Sequence, residues 1–238
     1  MKNSLYIIAL TCFVGAPGCA KDPSKDAPKA QIGKARIAAA KSAPAKAVKA
    51  KKKAPPKAKV AVVTPTAKKD VNTLALMGSV GFVGSKVTGS HDGIFKKWAG
   101  KVVMGKSLED AQISIEADVA TVISDPKNRK PWSGKLDKHL KSADFFHAEK
   151  FPKAMFVSKS ITKTTGTNAT HTVTGDLTMR GTTRAVTFPA TISHVAGKFM
   201  AKADFTINRS DWKIVYKGKA DDLIRDGVVL KIDVTGAP

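Results

Sequence analysis

A chain of 238 residues holds one sizeable domain with room for extensions, and its formal net charge of +22 is large for that length. Only 2 cysteines occur, Cys12 and Cys19, which excludes a disulfide scaffold, a cysteine zinc site and a thiol nucleophile anywhere beyond the leader. No apolar run approaches the ~20 residues that a membrane-spanning helix needs, so a polytopic helical membrane protein is excluded as well.

The chain opens with Lys2, an apolar stretch over residues 5–14, and small residues leading to Cys19. Charged start, short apolar run and small residues before a cut are the layout of a secretory signal, which predicts export. Ala16-Pro17-Gly18-Cys19 is similar to a bacterial lipobox, with Cys19 the expected lipidation site and mature N-terminus. It departs from the common pattern at Pro17 and in lacking Leu three places before the cysteine. An ordinary cleaved signal with an incidental cysteine is the alternative. Ala20 after the cysteine, rather than Asp, points to outer-membrane sorting. The expected location is the periplasmic side of a bacterial envelope, lipid-anchored to the outer membrane.

Residues 20–70 carry fourteen Lys and Arg36 against Asp22, Asp26 and Asp70, and no aromatic residue. Such a composition buries too little apolar surface to offset backbone ordering at ~1–2 kcal/mol per residue. Pro28, Pro44, Pro55, Pro56 and Pro65 limit any helix. The segment therefore reads as a disordered basic tether, spanning on the order of 40 Å as a flexible coil. It is a charged spacer or, alternatively, a weak contact for anionic envelope polymers or headgroups, where each Lys contributes roughly 1 kcal/mol. Export argues against a nucleic-acid partner.

After residue 71 apolar residues alternate with polar ones, the period of half-buried strands. Ile113, Ile115 and Ala117 alternate with Ser114, Glu116 and Asp118, and the pattern returns at 175–179, 186–192, 199–207 and 228–234. Gly-containing breaks fall at 89–93, 166–167, 181–183, 196–198 and 216–222. One segment reads helical, with Leu136 and Leu140 four apart, and is expected to cap a barrel end. Seven or more such strands predict an all-β fold, an antiparallel sheet closed on itself or a sandwich.

Six segments now appear in order, the most specific being HLKSADFFHAEKFPKAMF, VTGDLTMRGTTRAVTF and INRSDW. Together they resemble the YceI-like family over residues 71–238. The resemblance implies an antiparallel eight-stranded lipocalin-like barrel that binds polyisoprenoid or related long-chain lipid inside. His147 departs from the family, which commonly has Asp after the paired Phe.

Strand parity places Phe82, Ile113, Ile115, Phe188, Ala203 and Phe205 on one face, the expected path of a lipid tail. Small residues between them, among them Gly84, either leave a void or accommodate a neighbouring aromatic. Burying about twenty methylenes at roughly 0.8 kcal/mol each is a gross term of ~16 kcal/mol. Lys86 and Arg209 continue the same parity and are the headgroup candidates, with an Arg–Asp pair closing the barrel end as the other role for Arg209. Ser210 and Lys213 match S-x-x-K, which needs a helix to work, and on a strand they face opposite sides. His139, Asp144 and His147 have no familiar metal spacing. No enzyme, cofactor or metal is expected. The partners are a long-chain lipid ligand and the membrane, with homodimerisation left open. The alternative is a structural envelope protein with a filled barrel and a polyanion-binding tether.

Overall fold

The computed structural model describes residues 20–37, 72–165 and 168–237. In chain order the strands are β1 (Gln31–Ile37), β2 (Thr73–Lys86), β3 (Gly89–Phe95), β4 (Trp98–Val103), β5 (Gln112–Asp118) and β6 (Val122–Ser124). Helix α1 (Ser133–Lys141) follows, then β7 (Lys153–Lys163), β8 (His171–Met179), β9 (Thr182–Val195) and β10 (Lys198–Asn208). The small hairpin of β11 (Gly218–Lys219) and β12 (Asp222–Leu223) precedes β13 (Gly227–Gly236).

Every strand pair in the barrel wall is antiparallel, and β13 pairing with β2 closes it into eight staves. Two staves are each made of two strands. The upper half of β2, Gly81 to Lys86, pairs with β3, while Thr73 to Ala75 pair with β4 beyond a break at Lys96 and Lys97. Likewise β5 and β6 are one stave bent by a single 3-10 turn at Val119–Thr121. Burial alternates strictly along β8, which is why the period-2 pattern was readable there. The five residues at 89–93, expected to be a break, lie within β3, because Gly93 faces Phe82 across the pair and lets its ring lie flat on the backbone.

At the upper end, where β2 turns into β3, two neighbouring staves part. β6 does not reach β7, and α1 fills that gap. Asp137 of the helix accepts from Ser124 N at 2.7 Å, from Ser124 Oγ at 2.8 Å and from Arg129 at 2.9 Å, which ties α1 to β6. Burial pushes the Asp137 carboxyl up, but the Arg129 and Ser124 contacts outweigh it and hold the group below the usual aspartate value.

The second gap separates β9 from β10, which pair only over residues 191–195 and 198–202. Residues 20–37 fill it. β1 lies antiparallel on Thr182 to Thr187 of β9, and Lys29 bridges Thr206 of β10. Thr206 N donates to Pro28 O and Ala30 N donates to Thr206 O, both at 2.8 Å. Ahead of them, Ser24 of a single 3-10 turn at Pro23–Lys25 is buried against Gly227. This corrects the expectation that the disordered tether starts at residue 20. The open edges of β9 and β10 offer unpaired backbone groups, and pairing them stabilises the segment without a large apolar surface. The remaining tether, from residue 38 to residue 70, lies outside the described residues, as does Cys19. Because β1 ends beside Thr182 at the upper end and β2 begins beside Val103 at the lower, the Lys/Ala/Pro-rich stretch is a connection between two barrel strands. It is not a spacer in front of the barrel.

Candidate ligand-binding site

The lower half of the barrel is packed. Phe188 and Phe205 stack with ring centroids 3.9 Å apart and planes 7° from parallel, and Phe156 leans on Phe188 at 5.6 Å. Below them a void of about 30 Å³ remains, lined by Ile113, Ile115, Phe188, Ala203 and others. Above them lies an apolar cavity of about 140 Å³, lined by Val80, Phe82, Ile115, Phe156, Leu177 and Leu230 among others.

The expected tail path is therefore not one continuous tube. Phe82 and Ile115 line the upper cavity; Ile113, Phe188 and Ala203 line the lower void; Phe205 is buried in the stack that separates the two. Two glycines of the barrel wall are covered from within. The Phe82 ring covers Gly93 and the Phe156 ring covers Gly175, whereas nothing lies within 4 Å of a side chain begun at Gly84. Gly84 lines both the cavity and a groove outside it.

That groove, about 560 Å³, runs between α1, the β2–β3 turn and the β11–β12 hairpin. Leu136, Leu140, Phe145 and Tyr216 form its apolar wall, with Lys86, Lys135 and Lys219 along it. The α1 wall comes from the helical spacing of Leu136 and Leu140, and Phe146 packs edge-on to Phe82 at 5.6 Å and to Phe95 at 5.7 Å. Phe145, Phe146, Ile214, Tyr216 and Ile224 were missed as site residues by strand parity, since none lies on a barrel strand. The adjacent Phe145-Phe146 pair after an amphipathic helix was the available signal.

Lys86 stands at the groove and pairs with Asp222, whose carboxyl is held low by Lys86 and by the Thr88 backbone and hydroxyl. Arg209 lies at the top of the cavity, 5% exposed. Its guanidinium donates to Ile214 O at 3.0 Å, Arg225 O at 3.1 Å and Ile224 O at 3.2 Å, with Asp226 at 3.4 Å. Burial pushes Arg209 down from its usual range and Asp226 opposes that shift. The side chain thus holds the 214–226 loop over the barrel, the Arg–Asp closure weighed from the sequence. Asp211 pairs instead with Arg184 at 3.4 Å.

Ser210 and Lys213 sit on neither strand nor α-helix. Arg209–Trp212 is a single 3-10 turn, with buried Trp212 donating to Leu177 O at 3.1 Å and Lys213 in the left-handed region. His139 pairs with Asp144 at 2.8 Å and packs edge-on to Phe145 and Tyr216, while His147 faces Phe151. His147 has φ of 51°, a turn position where Asp and Asn are readily accommodated.

An eight-stranded antiparallel barrel, packed at one end and hollow and apolar at the other, has lipocalin-like architecture. The chain belongs to the YceI-like domain family, whose match covers residues 77–236. Over 102 residues it is 41% identical to a UPF0312 protein of Pseudomonas putida, covering 42% of this chain and 48% of that one. A UPF0312 protein of Pseudomonas fluorescens is 38% identical over the same length. The alignment thus spans about half the length of these curated relatives. Among solved structures, Burkholderia cenocepacia BcnA superposes with a TM-score of 0.54 at 22% identity, covering 68% of this chain and 95% of its own. A polyisoprenoid binding domain from Saccharophagus degradans, implicated in plant cell wall breakdown, gives 0.52 at 13% identity, covering 70% and 99%. Both share the fold.

Proposed function

We propose that this protein is an exported envelope lipoprotein, anchored through Cys19, that binds an isoprenoid or similar long-chain lipid for carriage or sequestration. The observation that carries this reading is an apolar cavity that shares Phe82, Gly84, Leu140 and Phe145 with a groove bearing a lysine rim. The shared fold with a protein described as polyisoprenoid-binding supports the ligand class. Arg209 is a positioning residue for the barrel mouth in this reading, and the headgroup falls to Lys135 and Lys219.

The size of the cavity limits how the ligand sits. At about 140 Å³ it matches the ~150 Å³ cavity that accepts one benzene. Only the end of a prenyl chain enters, worth about 4 kcal/mol for five or so buried methylenes, and the rest lies along the groove. The ~16 kcal/mol expected for a fully enclosed chain is too large for this interior. The stacked phenylalanines below favour the second reading, a structural envelope protein with a filled barrel.

Organic extraction of the protein purified from its own host, followed by mass spectrometry, separates the two. A stoichiometric long-chain lipid is the expected result. A protein free of lipid after gentle, detergent-free purification would overturn the carrier reading and favour the structural one.

A further inference from the structure

The apolar side chains at the upper end are arranged in a way that the barrel interior does not use. Among the described residues nine large hydrophobics are exposed, and four of them surround the groove opening. Trp132 (47% exposed) precedes α1, Val87 (37%) is on the β2–β3 turn, Val215 (65%) precedes the β11–β12 hairpin and Leu223 (47%) lies on β12. The others lie along the barrel walls and at the β9–β10 turn. Three separate loops thus present apolar tips at one end, and Val87 N donates to Leu223 O at 3.2 Å, which fixes two of them together.

The two segments that carry most of these tips are also basic. Residues 125–141 and 213–225 hold ten basic and four acidic side chains, whereas the whole of 71–238 holds 25 and 16. Two of those acids, Asp137 and Asp222, already face Arg129 and Lys86. Lys135, Lys217 and Lys219 are exposed beside the apolar tips. Amphipathic tips with lysines next to them match the boundary between acyl chains and anionic headgroups.

Ala20 is bound at the same end. Ala20 N donates to Val87 O at 3.2 Å and Ala20 O accepts from Arg225 at 3.1 Å, which fixes Ala20 to this rim. The position of Ala20, the apolar tips and the basic segments are three independent observations at one place.

From this we infer that the mouth of the barrel docks directly on an anionic lipid bilayer, with Trp132, Val87, Val215 and Leu223 at the acyl boundary. The groove then opens onto the membrane, and a lipid can pass between bilayer and cavity without crossing water. This docking deepens the lipid-carrier reading but is measured separately from it, because lipid content after extraction is read on protein away from any vesicle.

The test uses the purified full chain carrying Cys19→Ser, so that no attached lipid contributes, with vesicles containing brominated phosphatidylglycerol. Trp98 is partly buried and Trp212 fully so, which leaves Trp132 as the exposed reporter. Quenching by brominated phosphatidylglycerol, with much weaker quenching by brominated phosphatidylcholine, is the expected result. Lys135→Gln with Lys217→Gln should weaken the apparent affinity about thirtyfold, and Val215→Ser with Leu223→Ser should reduce the quenching. Unchanged near-ultraviolet circular dichroism checks that the variants fold, and the comparison of the two lipids on the parent chain needs no variant. Unquenched Trp132 on vesicles that carry the protein, or equal quenching in both lipids, would overturn the inference. So would quenching indifferent to all four substitutions, because the apolar leader would then be the attachment.

Discussion

Arg209 shows how one side chain can satisfy the requirements of closure and leave little for recognition. Three carbonyls converge on its guanidinium at 3.0 to 3.2 Å, and all belong to the 214–226 loop or its end. Replacing it by Met would take the donor from one buried and two part-buried carbonyls, and a cost of about 3 kcal/mol is expected. Arg209→Lys should recover only part of this, since an ammonium on a flexible stem does not span the fork. Urea denaturation measures both; a fully stable Arg209→Met would mean the side chain serves a ligand and not the fold. The inward direction of Arg209 was legible from the parity of Phe205 and Ile207, but its partners were not. Backbone carbonyls carry no side-chain signature, and the loop that supplies them follows a 3-10 turn the alternation does not announce. Ala203 teaches the same lesson about volume. A small residue on an inner face suggested space, yet the stacked rings of Phe188 and Phe205 occupy the interior beside it and only about 30 Å³ is left. Ala203→Trp therefore overpacks the core, and is no clean probe of ligand binding.

Strands announced themselves through alternation, while the two elements that complete the upper wall did so unequally. Leu136 and Leu140 predicted α1 as a cap, and the helix does line the mouth. Its attachment through Asp137 has a pH consequence. The Asp137 carboxyl is held below its unfolded value of about 3.9, so it stabilises the fold above that pH and the contribution is lost as pH falls through the folded value. Asp137→Asn should lower the urea midpoint at pH 7, with the gap to the parent narrowing towards pH 3. A gap that stays constant with pH would show that the carboxylate charge is not what ties α1 to β6. β1 was not legible at all. Gln31–Ile37 has neither a strong apolar face nor an aromatic residue, and what makes it a strand is the vacant edge of β9, a property of the closed barrel. A specific protease site placed within residues 41–69 tests this. After cleavage, the piece carrying β1 should still co-elute with the barrel, and its removal by denaturation and refolding should lower stability. Separation of the piece without loss of stability would contradict the pairing.

At the scale of the whole molecule, the placement of the basic stretch changes what the chain is. Read along the sequence, lysines between a leader and a barrel suggest a tether; in the structure both flanks of that stretch are built into one barrel. Ala20 therefore sits at the barrel mouth, and the cavity, the groove and this residue share one end. In the proposed function the apolar ligand passes Gly84 to reach the interior. Gly84→Phe is suited to testing this, because nothing lies within 4 Å of a Cβ placed there, so the backbone should accept the side chain while the passage closes. Native mass spectrometry of the parent and Gly84→Phe, purified side by side from the same host, reads the bound lipid directly. A lipid adduct on the parent that is lost or reduced at least tenfold in the folded variant is the predicted result. The same adduct in the same amount on both would contradict the account.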